Sequence, residues 1–441
     1  MAATIDSRKL NVFERNLLHL ETTVNFQFSV MLRVRGSLPA AALEEALSAE
    51  SRSHYYLNVR LSGDGERFER RDDLRIPVAV VKGREDGDWA AMVERELGEG
   101  FDMRRGPLAR VTLIQREGLS DVIACFQHIA ADAASAFRFL DAAIARCAAV
   151  ARGETPGPPP AREAKVPDAS YFPAATRGFS GALKRLGFVA RYAHSMLRFP
   201  KARYPRYDRV PYGARSLRLV PRELDAATTA ALVDASRRHG ASVQGALCAA
   251  ALIALAEEIK TRAGVPKPAL ECVSSVNLRR LLDPRPSDED MGLWVGRVST
   301  AFPMEAARAL WPLARGVKRD LERQLARHDM FSGFLVLFSK VHSDPEAFTK
   351  TFESPKPHVG VTNVGVLELP AREGPYEVLD ARFASSLRFT QGGPWGVIVA
   401  ATTFGGALAA DFHFLREYWD AGDAAALADR AIAKLRDGAS R

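Results

Sequence analysis

The sequence predicts a mixed α/β chain built as two lobes, each a mixed sheet flanked by helices. Three observations carry this. At 441 residues the chain exceeds what a single hydrophobic core usually fills, and two lobes of roughly 150 to 250 residues are expected. Short segments of strand period alternate with longer segments of helical period. A proline- and glycine-rich stretch, "GETPGPPPAREAKVPD" (153–168), interrupts this order, and from about Leu217 it begins again. The expected boundaries are 1–152 for the first lobe, 153–213 for an interlobe linker and 214–441 for the second lobe.

The first lobe opens with "NFQFSVMLRVRG" (25–36). Phe26, Phe28, Val30, Leu32 and Val34 alternate as in a half-buried strand. "SLPAAALEEALSAESRS" follows as a helix that Ser37 can cap. "RIPVAVVKG" reads as a strand, and "DWAAMVERELGEG" as a helix stopped by glycine. "LARVTLIQRE" and "DVIACFQH" are strands joined by "GLSD" in a hairpin. After Asp132 the helical period places Phe137, Leu140, Ile144, Cys147 and Ala148 on one face.

In the second lobe "SLRLV" is a strand, and helices follow at "PRELDAATTAALVDASRRHG" and "SVQGALCAAALIALAEEIKTRAG". Strands are expected at 269–278, 295–303, 358–365, 377–386, 395–406 and 407–414. A helix at 423–438 closes the chain.

Composition is that of an ordinary globular protein: 47% of residues are apolar and 26% charged. No run approaches the apolar length of a membrane span, and "MAATIDSRKLNVFERN" lacks a signal-peptide pattern, so a cytoplasmic protein is expected; the oligomeric state is left open, with a monomer one possibility. Cys125, Cys147, Cys248 and Cys272 sit in apolar stretches without metal spacing and read as buried thiols. The formal net charge of +8 is concentrated between Arg177 and Arg209, where nine Lys or Arg face one Asp. Such a surface suits an anionic partner: a phosphopantetheine carrier protein, coenzyme A phosphates or a lipid surface. A solvated linker helix explains the same charges. Aromatic residues among them would also fit single-stranded nucleic acid, but no recognisable module surrounds them, and no nucleic-acid partner is expected.

"DVIACFQHIAADAAS" (121–135) raises the question of chemistry. Alternation makes His128 the last residue of its strand, with apolar neighbours on its own face. A ring at a strand end beside a helix start is well placed for general-base work. Asp132, four residues on, either caps the following helix or braces the turn. Of the nine histidines only His128 stands in an HxxxD pattern. The spacing alone equally fits a strand end followed by a cap. GxSxG, GxxxxGK[ST] and HExxH patterns do not occur. Asp411 and His413 in "ADFHFLREYWD" share a strand face, but no third ligand stands at suitable spacing, so no metal site is expected.

"FQHIAADAAS" resembles the HHxxxDG signature of the coenzyme-A-dependent acyltransferase superfamily. That superfamily includes chloramphenicol acetyltransferase, the condensation domains of peptide synthetases, Pap-type acyltransferases and BAHD enzymes. The likeness extends over most of the chain. Residues 28–68 are similar to the opening strand, helix and "RHPxLR" segment, and 219–255 to the start of the second lobe. "SSVNLRRLLDP" with "MGLWVGRVST" resembles the stretch ending in "GxFVN", and "VTNVGVLELP" the later "SNLG" segment. Pap-type and stand-alone condensation-like enzymes are the most similar; the BAHD "DFGWG" motif is absent.

The resemblance implies a chloramphenicol-acetyltransferase-like fold with a tunnel between its lobes. It implies transfer of an acyl group from acyl-coenzyme A or an acyl-carrier protein to a small-molecule alcohol or amine. No cofactor is bound; the thioester is a co-substrate. His128 matches the base, and Asp132 the aspartate that bonds an arginine and holds the loop. Gln127 replaces the family's first histidine and Ala133 its glycine, which alanine can do only at negative φ. Asn58 stands where many relatives carry an arginine, so the partner of Asp132 must come from elsewhere; Arg279 and Arg280 are candidates, although a surface or lobe-packing role accounts for either arginine better. Thr362 and Asn363 match a tunnel-facing segment and could donate to an oxyanion, although turn formation accounts for them equally. Arg198 and Arg203 are the expected docking cations. The alternative, from a different class, is an inactive condensation-like scaffold that docks a carrier protein.

Overall fold

The alternating segment at 25–36 forms the strand around which the first sheet is built, in a computed structural model describing residues 6–198, 207–304, 308–351, 357–370, 374–386 and 394–440. The chain divides into two compact units. The first comprises Met1–Tyr171, Leu282–Trp294 and Val366–Ser386. In chain order it holds β1 (Ser7–Lys9), α1 (Val12–Val24), β2 (Gln27–Arg35), α2 (Ala40–Ser51), β3 (Val59–Leu61), β4 (Arg67–Arg70), β5 (Val78–Lys82), α3 (Asp88–Gly98), β6 (Ala109–Arg116), β7 (Leu119–Gln127) and α4 (Ala133–Ala151). A late strand, Val378–Ser385, joins them, giving the sheet order Val378–Ser385, β2, β7, β6, β5. Only β5 and β6 run parallel, so the sheet is mixed. A small separate sheet pairs β1, β4 and β3.

Strand β2 is covered on both faces, not half-buried as its alternation predicts. Val30, Leu32 and Val34 are fully buried, but so are Gln27, Ser29 and Met31 between them. The second face tolerates burial because its polar groups are paired. Gln27 Nε2 donates to the carbonyls of Leu97 (3.0 Å) and Glu99 (2.7 Å) at the end of α3. Arg33 donates to Asp121 at 2.7 Å, and Arg116 reaches the same buried carboxylate at 2.6 Å. Two guanidiniums offset the desolvation of one carboxylate.

Local chemistry fixes the connections. Asn11 and Glu14 form a capping box at the start of α1, and Asn25 ends that helix in the left-handed region at φ 51°. The β6–β7 hairpin closes with Arg116 opposite Leu119 and Gly118 at φ +65°. Ser37 does not cap α2. Pro39 occupies the cap position without a side-chain bond, and the Leu38 N–H instead donates to Ser120 Oγ at 3.0 Å. The sheet, not a local cap, sets where α2 begins. The face of α4 read from periodicity is the buried one.

The second unit comprises Phe172–Leu281, Val295–Gly365 and Leu387–Arg441. It holds α5 (Gly178–Arg198), β8 (Leu217–Leu224), α6 (Ala226–Arg238), α7 (Val243–Ala263), β9 (Ala269–Asn277), β10 (Val295–Pro303), α8 (Leu310–Arg327), α9 (Asp329–Leu337), α10 (Pro345–Lys350) and β11 (His358–Val366). After Val378–Ser385, which is β12, come β13 (Gly396–Phe404), β14 (Ala407–Leu415) and α11 (Ala421–Ala439). The sheet order is β10-β9-β11-β13-β14-β8, with β9 and β11 parallel. "PREL" extends β8, and Asp225 caps α6 through the Thr228 N–H. Helix α7 is buried almost all round, from Gly245 to Ile259, as an alanine- and leucine-rich core helix should be. Its approach to α8 depends on Gly245, where a Cβ would lie 2.6 Å from the Ala314 carbonyl oxygen. All four cysteines are buried and free, as expected.

The units do not follow contiguous boundaries at 152 and 213. Helix α5 belongs to the second unit, and 282–294 and 366–386 return to the first. Hydrogen bonding decides this. Strand β12 adds to the edge of β2, the Asp283 N–H donates to the Tyr171 carbonyl, and Lys165 pairs with Asp290 at 2.8 Å. No single helix among the described residues is long and apolar enough to cross a membrane.

Candidate active site

His128 is the first residue beyond β7 rather than its last. Its N–H still donates to the Phe26 carbonyl at 3.0 Å, so the turn leaves the sheet in register. The imidazole stacks on Phe26 with centroids 4.8 Å apart, and Phe28 lies tilted at the same distance. Both rings come from the β2 end of the sheet, where Phe28 pairs with Phe126. Nδ1 lies 3.0 Å from the Ala131 carbonyl oxygen. A carbonyl only accepts, so Nδ1 carries the proton and Nε2 keeps a lone pair. Desolvation holds the imidazolium below its ordinary pKa, against the smaller opposing effects of the Ala131 carbonyl and the Asp132 charge. At neutral pH the ring is therefore a neutral base.

The turn is fixed by its neighbours. Gln127 is fully buried; its Oε1 accepts from the Ile129 N–H at 2.5 Å, and its Nε2 donates to Glu21 and to the Phe26 carbonyl, each at 3.3 Å. Glu21, on α1, also accepts from the Phe101 N–H at 3.1 Å, and burial raises its pKa. Asp132 is the N-cap of α4. Its carboxylate accepts from the Ser135 N–H at 3.1 Å, and the Ser135 hydroxyl completes a capping box. Ala133 is the first helical residue, and it is not among the described residues with positive φ. Alanine is therefore compatible with the backbone there. Asn58, in place of the expected arginine, is buried and donates to the Ser51 and His54 carbonyls at the end of α2.

The other predicted residues belong to the second unit. Arg279 is 1% exposed and opens a short 3-10 turn, its N–H held by Asn277 Oδ1 at 3.0 Å. Thr362, on β11, shares a 2.9 Å hydroxyl bond with Ser275 of β9. Asn363 spends its side-chain carbonyl on the Gly365 N–H at 2.9 Å, which is a turn-forming role. Arg198 ends α5 with its side chain outside the description, and Arg203 lies outside the described residues. His413 is buried among the strands near the Ile398 carbonyl, with its pKa pushed down to about 4 by burial. Among the described residues no cluster of His, Cys, Asp and Glu is arranged to hold a metal ion.

Sequence reasoning missed Glu21, Phe26 as a stacking partner, and Ser135. The Asn11–Glu14 capping box was the available signal for the helix that carries Glu21.

A family model described as phthiocerol/phthiodiolone dimycocerosyl transferase C-terminus matches residues 215–413. Among curated proteins none matches the chain. Among solved structures, polyketide synthase associated protein 5 from Mycobacterium tuberculosis is similar over 100% of this chain and 99% of its own, with TM-score 0.66 and 18% identity. The first condensation domain of the calcium-dependent antibiotic synthetase, solved with a substrate analogue, is similar over 99% and 97%, with TM-score 0.67 and 14% identity. The X-domain from teicoplanin biosynthesis, solved in complex with OxyB, is similar over 100% and 95%, with TM-score 0.60 and 18% identity.

Proposed function

We propose, on the premise that the chain has the condensation-like, Pap-type acyltransferase fold, that it is an acyltransferase of polyketide or peptide natural-product assembly. In this reading it moves an acyl group from a thioester to a hydroxyl or amine, and His128 is the general base. The observation that carries the proposal is the bond from Nδ1 to the Ala131 carbonyl, which leaves Nε2 unprotonated. Nε2 takes the proton from the acceptor as its oxygen or nitrogen bonds to the thioester carbonyl carbon. The carbon–sulfur bond then breaks, and the thiolate recovers the proton from the imidazolium. An ester or amide and a free thiol result, without an acyl-enzyme. General-base help of this kind is worth roughly 10²- to 10⁴-fold.

The thioester is acyl-coenzyme A or an acyl-carrier protein, used as co-substrate. Asp132, Gln127 and Arg279 have positioning roles, and Thr362 and the amide of Asn363 are the proposed donors to the tetrahedral oxyanion. The test offers purified protein a panel of acyl-coenzyme A and acyl-carrier donors with alcohols and amines, and His128→Ala as the control. Turnover that the variant abolishes supports the reading; equal turnover by the variant removes His128 as base.

A second reading is a docking scaffold without catalysis. Gln127 in place of a histidine favours it, as does the similarity to an X-domain solved in complex with OxyB. The same panel separates the two, because the scaffold turns over no pair of substrates.

A further inference from the structure

We propose that α5 is an interfacial anchor that lies flat on an anionic lipid surface. A helix on the surface of a globular protein ordinarily turns its apolar stripe inward. Helix α5 does the reverse. Phe179, Leu183, Leu186, Ala190 and Ala193 follow one another at steps of three or four and form a single line along the helix. Every one of them is exposed. Phe179 is 80% exposed, Leu186 68% and Leu183 54%, and Val189 beside the line is 45% exposed.

The side that docks on the second unit is the polar one. Lys184 Nζ lies 3.1 Å from His328 Nδ1, Arg191 pairs with Asp329, and Phe188 packs over Gly333 of α9. The inward contacts are thus made largely by charged groups, and the apolar stripe is left facing water. A monomeric protein seldom keeps so continuous an apolar ridge without a use for it.

Charge identifies what covers the ridge. Nine Lys or Arg lie between Arg177 and Arg209 against one Asp, and the remainder of the chain is almost balanced. A segment that carries both an apolar stripe and most of the chain's excess positive charge suits the boundary between anionic headgroups and acyl chains. A bilayer accepts a convex ridge without a preformed groove, whereas an acidic soluble protein would have to bury the ridge in a cleft of its own. The helix spans 21 residues, about 31 Å at 1.5 Å per residue. Its cations exclude a spanning arrangement, so it rests on the surface. The inference does not depend on the acyl-transfer reading.

The test is flotation of the full chain with vesicles of phosphatidylcholine, with and without about one-third phosphatidylglycerol. The expected result is binding to the anionic vesicles that weakens in high salt, and little binding to the neutral ones. The double variant Leu183→Glu, Leu186→Glu should lose binding at least about tenfold. Both positions are exposed, and unchanged circular dichroism and melting would show that the fold persists. Wild-type protein that fails to float, or a double variant that floats equally well, overturns the anchor. So does a double variant that instead loses self-association in sedimentation velocity, or affinity for a holo-carrier protein, with no vesicle binding by either form.

Discussion

Nδ1 of His128 lies 3.0 Å from the carbonyl oxygen of Ala131, and this bond decides which nitrogen is left to act as a base. Burial opposes protonation of the same ring. The acid limb of kcat/KM should therefore fall below the ordinary imidazole pKa of about 6.5. Activity should reach its plateau at a lower pH than an unperturbed imidazole would allow, and stay level until some other group titrates. The measurement is a pH–rate profile with saturating donor. An acid limb at or above the ordinary value would mean that another group limits the reaction.

Gln127 holds the turn through bonds of opposite sense. Its oxygen takes the Ile129 N–H, and its nitrogen reaches the Glu21 carboxylate. Gln127→Leu leaves the Ile129 N–H, the Glu21 carboxylate and the Phe26 carbonyl without this side chain, which should cost about 2 to 3 kcal/mol of stability. It should also lower kcat by releasing the turn that aims His128. Urea unfolding and steady-state kinetics check the two effects. Wild-type stability and turnover together would show that the amide only fills space.

The candidate site was legible in proportion to how local its contacts are. His128 and Asp132 could be read from one stretch, because the turn and the cap are made within four residues. Phe26 and Phe28 reach the imidazole through the pairing of β2 with β7, whose register depends on contacts about a hundred residues apart. Edge strand β12 was read as a strand but placed in the wrong lobe, since period says nothing of which sheet a strand joins. Ser37 looked like a cap, yet the Leu38–Ser120 bond sets the entry of α2. The basic stretch was legible as charge; the outward turn of its apolar stripe was not, because helical period does not say which side docks.

Two buried histidines outside the candidate site contribute to the response of stability to acid. Burial pushes His54 down to about 3 and His413 to about 4. On unfolding each regains a value near 6.5, so below that pH the unfolded chain binds protons that the folded chain refuses. Their effect is absent above pH 6.5, and stability declines as pH falls from there toward 4 and 3. By pH 5 the loss is roughly 2 kcal/mol for each. Urea midpoints from pH 7.5 to 5 at constant slope measure it, and His413→Asn should reduce the pH dependence by about one proton. A variant with the wild-type pH dependence would show that His413 is already protonated in the fold.

Ala133 tests whether the departure from the glycine of related motifs matters to the base. It opens α4 and is not among the described residues with positive φ, so the backbone does not require glycine. Ala133→Gly adds freedom to the unfolded chain and removes only a methyl group, which should cost no more than about 1 kcal/mol. The Asp132 cap and the Ala131 carbonyl do not depend on that methyl, so turnover should stay within about twofold. Thermal unfolding and steady-state kinetics check both expectations. A rise in kcat of tenfold or more would mean that the alanine methyl obstructs the approach to Nε2, and that this position restricts which acceptors the protein can use.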